Sequence, residues 1–134
     1  MVRKTKRSIK WVNFHTKENK RQKYAGIHLL AEFWGGTIIE DSKKIEKILI
    51  TAVKKSKNTP LEIKIHKFSP QGITGVVLLA ESHIALHSWP EINYLAIDIF
   101  TCGEKANPYK ALEYLKKKFQ PKKVEIKEIK RGIV

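Results

Sequence analysis

This chain carries very little sulfur: one methionine and one cysteine, Cys102, in 134 residues. A lone cysteine excludes an internal disulfide, which fits a reducing cytosol and leaves a thiol available for chemistry. Long apolar runs are missing as well. None approaches the ~20 residues needed to span a bilayer, and no apolar stretch follows the basic start, so neither a membrane helix nor a secretory signal is expected. Zinc-type spacing is absent too. His83 and His87 stand four apart, which suits a helix face better than a strand, so no metal is expected. Acidic residues are few, 13 against 27 Lys and Arg, for a formal charge of +14. Apolar residues are not short: at 42% of the chain they exclude a disordered polymer and suffice for one domain with one core.

The positive charge is uneven. Residues 1–23 hold nine Lys or Arg and one acid, Glu18, a net +8, while the rest of the chain contributes +6. Such a segment can attract nucleic acid or an anionic surface; a solvated extension is the plainer reading. No RNP-type, zinc-finger or helix-turn-helix pattern accompanies it. The chain therefore divides into a basic extension over 1–24 and a folded domain over 25–134.

Within the domain, Gly26 to Trp34 reads as a largely buried strand closed by Gly35-Gly36. Ser42 is the expected N-cap of a helix in which Ile45, Ile48, Leu49, Ala52 and Val53 recur at three- and four-residue spacing. Asn58-Thr59-Pro60 ends it. Leu61, Ile63 and Ile65 alternate with Glu62, Lys64 and His66, a half-buried strand running to Phe68. Residues 76–80 are continuously apolar, predicting a strand covered on both faces. Beyond Glu81, His83, Ala85, His87 and Trp89 share one face, and Ile84, Leu86 and Ser88 the other, until Pro90 stops the strand. Leu95, Ile97 and Ile99 then alternate with Tyr94, Ala96, Asp98, Phe100 and Cys102. Pro108 opens a second helix with Tyr109, Leu112, Leu115 and Phe119 as its stripe, and Val124 and Ile126 begin a last strand. This order predicts an α+β fold: a two-layer sandwich of a mainly antiparallel sheet with helices on one face.

The run Ala80-Glu81-Ser82-His83-Ile84-Ala85-Leu86-His87-Ser88-Trp89-Pro90-Glu91, followed by Phe100-Thr101-Cys102-Gly103, sets a Ser between two strand-like segments, a His five residues on and the only Cys twenty residues on. It resembles the self-cleavage site of the prokaryotic (class 1) S-adenosylmethionine decarboxylase proenzymes, a pyruvoyl-dependent family. The resemblance runs from Gly26 to Gly132 and includes His28-Leu29-Leu30-Ala31-Glu32-Phe33, Asn107-Pro108 and Arg131-Gly132.

The chemistry explains why these residue types are needed. The Ser82 hydroxyl can reach the carbonyl carbon of Glu81 through a five-membered ring, turning an amide into an ester. That step is uphill unless the fold strains the bond and stabilises the oxyanion. Elimination then frees Glu81 and leaves a pyruvoyl group made from Ser82, splitting the chain into 1–81 and 82–134. Along a strand His83 and His87 point opposite to Ser82, so a bend at the cleavage site is expected if either is to reach it. The resemblance implies His87 as the base in processing and Thr74, where better-known members carry serine, as the hydroxyl donor to the oxyanion. It implies Cys102 as the proton donor after CO2 leaves, Phe68 as the ring stacked on adenine and Glu91 as the acceptor of the ribose hydroxyls. Phe68 reads equally as core, Trp89 as packing, and His83, His66, His28 and His15 as structural. The covalent pyruvoyl group replaces PLP as electron sink.

By the same resemblance the chain is an S-adenosylmethionine decarboxylase of polyamine (spermidine) synthesis, cytoplasmic, and a homodimer whose sheets pack together with each site built from both protomers. Two alternatives stay open. Pyruvoyl-dependent arginine decarboxylases share the self-cleavage residues, and a basic nucleic-acid-binding module would account for the charge without any cleavage.

Overall fold

The computed structural model describes residues 23–103 and 105–134. The basic segment up to residue 22, with His15, and also Glu104, lie outside the described residues. Two residues assigned to the extension belong with the body: Tyr24 is buried, and the Lys23 carbonyl accepts from Val134 N at 2.9 Å.

In chain order the elements are β1 (Gly26–Trp34), α1 (Ser42–Lys55), β2 (Pro60–Lys67), β3 (Ile73–Leu79), β4 (Ser82–Trp89), a 3₁₀ turn (Pro90–Ile92), β5 (Tyr94–Cys102), α2 (Pro108–Phe119) and β6 (Lys123–Arg131). The strands form one six-stranded sheet in the order β2-β3-β4-β5-β1-β6, antiparallel at every junction. Helix α1 packs on β2 and β3, α2 packs on β5, and the helices touch each other, so both cover the same face. The predicted two-layer α+β sandwich is the observed fold.

Local chemistry accounts for the helix ends. Asp41, not Ser42, is the N-cap of α1: its carboxylate accepts from Lys43 N at 2.9 Å and Lys44 N at 3.3 Å. An ionised acceptor at a helix start outcompetes a hydroxyl one residue later. Asn107 caps α2 through Tyr109 N, with Pro108 in the first turn.

Alternation places the core. Leu29, Ala31 and Phe33 of β1, Ile84 and Leu86 of β4, and Leu95, Ile97 and Ile99 of β5 are buried against Ile45, Leu49, Val53, Leu112 and Leu115 of the helices. Each fully buried aliphatic side chain contributes about 1.5–3 kcal/mol. Gly75 leaves room for α1 and for the neighbouring strand, since a Cβ there would lie 2.8 Å from Leu49 Cδ1 and 2.9 Å from Ile65 Cδ1.

Among the described residues, the other face of the sheet carries no helix. Val76 and Leu78, expected to be covered on both sides, are 39% and 49% exposed. Their continuous apolar run therefore reflects a second face that the described residues leave open. Leu61 also points outward, because a register shift between Pro60 and Glu62 breaks the alternation of β2.

Candidate active site

Strands β3 and β4 are joined by a two-residue turn, Ala80-Glu81, with Leu79 paired to Ser82. Such turns normally place positive φ on the loop residues, which is why Asn and Gly are preferred there. Here neither Ala80 nor Glu81 has positive φ; the excursion falls on Ser82, at φ +156°. That is a region L-residues avoid, at a cost of order 1–3 kcal/mol. The backbone strain thus sits on the residue that follows the Glu81–Ser82 bond.

The atoms around this bond are ordered by β5 and by the loop after α1. Cys102, the last residue of β5, donates its thiol to the Glu81 carbonyl oxygen at 3.1 Å. Ser82 Oγ lies 3.2 Å from His83 Nδ1. The Glu81 carboxylate accepts from Thr59 N at 2.9 Å and from Thr59 Oγ1 at 3.1 Å. A serine hydroxyl, the carbonyl of the residue before it and a donor to that carbonyl oxygen therefore share one strand end.

A second group lies at the far end of β4. Thr74 and His87 are directly opposed across β3 and β4, with Oγ1 3.1 Å from Nδ1. They line an open concavity of about 330 Å³ together with Phe68, Trp89 and Glu91. Phe68 is 49% exposed and therefore not core; its ring meets His66 edge-on at 4.5 Å. Trp89 stacks on Tyr94 at 5.3 Å, and Tyr94 on Trp34 at 4.3 Å, an aromatic row across three strands beside the concavity.

The predicted site residues thus fall into two groups. Glu81, Ser82 and Cys102 meet at one end of the sheet; Thr74, His87, Phe68 and Glu91 meet at the other. The bend expected to bring His87 to Ser82 is not there. β4 runs unbroken from Ser82 to Trp89, so five residues separate the two groups by about 17 Å. His83, read from the sequence as structural, is the histidine that reaches Ser82. Its bond follows from the unusual Ser82 backbone, which strand parity could not foresee.

Between the groups the open face carries His28, Asp98, Phe100 and Arg131. The His28 ring stacks on Phe100 at 5.2 Å, and the Arg131 guanidinium lies 4.6 Å from the centre of the Phe100 ring. His28 Nε2 stands 3.9 Å from Asp98. Burial pulls the His28 pKa below its ordinary value, and the positive charge of Arg131 and the neighbouring His83 add to this against the opposing effect of Asp98. The Tyr94 hydroxyl donates to Glu32; burial, then this bond and the carboxylate charge, push its pKa up to about 12. Among the described residues no group of three or more His, Cys, Asp or Glu converges to hold a metal ion, and no helix is long and apolar enough to cross a membrane.

Sequence reasoning missed Asn58 and Thr59, read only as a helix stop. Asn58 Oδ1 accepts from the buried Thr101 hydroxyl at 2.6 Å, next to Cys102, while Thr59 holds Glu81. Those partners lie 43 and 22 residues away, so no local pattern could have found them.

Comparison with known proteins bears on this arrangement. A family model described as S-adenosylmethionine decarboxylase matches residues 27–132. An S-adenosylmethionine decarboxylase proenzyme of Methanococcus maripaludis (strain C5) is 46% identical over 114 residues, covering 84% of this chain and 93% of the relative. One from Moorella thermoacetica is 47% identical over 111 residues, covering 81% and 89%. The crystal structure of the adenosylmethionine decarboxylase from Aquifex aeolicus matches with a TM-score of 0.78 at 38% identity, covering 84% of this chain and 94% of that one.

Proposed function

The chain belongs to the S-adenosylmethionine decarboxylase family, and from that premise we propose that it cuts itself at Glu81–Ser82 and then releases CO2 from S-adenosylmethionine, in the cytoplasm, for polyamine synthesis. The observation that carries the self-cleavage is the strained Ser82, at φ +156°, beside a Glu81 carbonyl that already accepts from the Cys102 thiol at 3.1 Å. The names of the relatives favour the nucleoside over arginine as substrate.

The chain's own atoms account for the cut. Ser82 Oγ bonds to the Glu81 carbonyl carbon while Cys102 donates to the oxygen that gains charge. The C–N bond then breaks, the hydroxyl proton passes to the freed Ser82 nitrogen, and the backbone becomes an ester with its strain released. Removal of the Ser82 Cα proton breaks Cβ–Oγ and expels Glu81 as a carboxylate. The remaining enamine shifts to its imine form, takes up water and loses ammonia, which leaves a keto-acyl group at the head of residues 82–134. The residues fit the group: the Cys102 Sγ stands against the bond from which it would form. Once formed, that keto group supplies the electron sink for decarboxylation. Cys102 holds a proton for the carbon that loses CO2. Phe68 offers a face to adenine, and Glu91 a carboxylate to the ribose and, at longer range, to the sulfonium charge.

The two-ended arrangement supports a dimer with shared sites. Val76, Leu78, Leu30 and Phe100 lie on the face that the described residues leave uncovered, which a second copy would bury. A two-fold axis between the two sheets, parallel to them and running across the strands, sets the Ser82 end of one protomer against the Thr74–His87 end of the other. His87 then serves as base for the partner copy's cleavage and Thr74 as second donor, with no bend in β4 required.

Denaturing mass spectrometry tests the cut: two masses meeting at Glu81/Ser82 support it, one full-length mass refutes it. CO2 release from carboxyl-labelled S-adenosylmethionine, with labelled arginine in parallel, tests the substrate. Release from arginine alone would leave Ser82 and Cys102 in their roles and overturn the role of Phe68.

A further inference from the structure

The Ala80-Glu81 turn lacks the residues that make a two-residue hairpin comfortable, yet it is held in place by an outside segment. Three contacts come from a single residue, Thr59: its N–H and hydroxyl bind the two Glu81 carboxylate oxygens at 2.9 and 3.1 Å, and its carbonyl accepts from Ala80 N at 3.0 Å. The preceding residue holds the strand end beside Cys102. Asn58 Oδ1 accepts from Thr101 Oγ1 at 2.6 Å, Asn58 Nδ2 donates to Ser56 Oγ at 2.8 Å, and Ser56 Oγ donates to Val53 O at 2.8 Å, all buried. The segment after α1 therefore fixes at once the residue before the scissile bond and the strand end that carries Cys102.

We infer that Thr59 is a positioning residue for self-cleavage: it clamps the Glu81 side chain so that the turn cannot relax and the Glu81 carbonyl stays against Cys102. This rests on the self-cleavage reading above. The clamp acts only while the Glu81–Ser82 bond exists. Once the chain is cut, Glu81 is a chain end and decarboxylation no longer depends on the strain. Thr59 thus governs how fast the precursor matures and not how fast the mature enzyme turns over.

The test compares Thr59→Val, which keeps the shape and backbone N–H but loses the hydroxyl, with Thr59→Ser, which keeps the hydroxyl. Thr59 is exposed, and Thr59→Ala serves as a second deletion of the same group. Full-length precursor of each is followed by denaturing mass spectrometry, and CO2 release is measured per cleaved chain. Loss of one hydrogen bond to a carboxylate is expected to slow cleavage by about tenfold or more. Thr59→Ser is expected within about threefold of the native rate, with activity per cleaved chain unchanged in all three. Native-like cleavage in Thr59→Val and Thr59→Ala overturns the clamp, as does an equal slowing in Thr59→Ser or a matching fall in activity per cleaved chain. An uncleaved native chain overturns the self-cleavage reading and the clamp with it.

Discussion

Replacing Ser82 by glycine or alanine separates strain from chemistry, since both variants lack the proposed nucleophile and are expected to stay one chain of 134 residues. In an ordinary strand glycine is the poorer residue, by ~0.5–1 kcal/mol relative to alanine. At φ +156° the ranking should invert. Alanine keeps the Cβ and with it a conformational cost of order 1–3 kcal/mol, whereas glycine adopts this backbone freely. Setting the lost strain against glycine's entropy leaves Ser82→Gly more stable by about 1 kcal/mol, or about 3–5 °C in Tm for a domain of this size. The assay is a thermal melt of the two uncleaved proteins at equal concentration, after mass spectrometry shows each to be intact. Equal melting, or a higher midpoint for Ser82→Ala, would show that the backbone at Ser82 is unstrained and would remove the driving force assigned to the acyl shift.

The proposed sharing of sites between protomers predicts complementation: His87→Ala alone should stay intact, but coexpression with Ser82→Ala should restore cleavage of the His87→Ala chain, which mass spectrometry reads directly. Absence of any rescue would return His87 to a role within its own chain. Cys102→Ala should slow the cut by about 10–100-fold, less than the loss of a strong oxyanion donor because a thiol is a weak one, and Cys102→Ser should recover part of that in a time course of precursor loss. Tyr94 and Tyr109, each raised to about 12 by burial and then by hydrogen bonds to Glu32 and Glu128, bind their protons more tightly in the fold than in the unfolded chain. The stability they contribute is complete below about pH 10 and is lost as pH rises towards 12. Urea unfolding across that window should show a shallower decline for the Tyr94→Phe, Tyr109→Phe double variant than for the native protein.

Much of the fold is legible in the sequence because one buried face imposes strict alternation. His83, Ala85 and His87 against Ile84 and Leu86, and Ile97 and Ile99 against Asp98 and Phe100, fall on the faces their parity assigns. Residues 76–79 misled for a physical reason. Apolar residues on both faces signal two coverings, and the described residues supply only one of them. The site divides in the same way. Glu81, Ser82 and Cys102 could be read together because hairpin pairing brings the start of β4 beside the end of β5. The distance from Ser82 to His87 could not, because a motif contiguous in sequence suggests one location, whereas a straight strand spreads it over about 17 Å. The His83 contact and the Thr59 clamp depend on one unusual φ and on long-range partners, and neither leaves a periodic trace.

What keeps the strain from leaking away is the register of the ladder. A tight turn under stress would normally relax by slipping one residue, lengthening the loop and moving the positive φ onto a residue free to choose its partner. Here a one-residue slip of β4 would carry Ile84 and Leu86, both fully buried, to the uncovered face and drive His83 and His87 into the core. Burying an imidazole in place of an isoleucine costs several kcal/mol, more than the order of 1–3 kcal/mol stored at Ser82. Slippage is therefore the costlier route, and Ile84 and Leu86 maintain the strain from two and four residues away. It follows that Leu86→Ser, which makes the slipped register tolerable, should slow self-cleavage in chains that remain folded by circular dichroism. Leu86→Val, which keeps the register costly to leave, should not. Equal cleavage rates in the two would show that the turn is held by the Thr59 contacts alone.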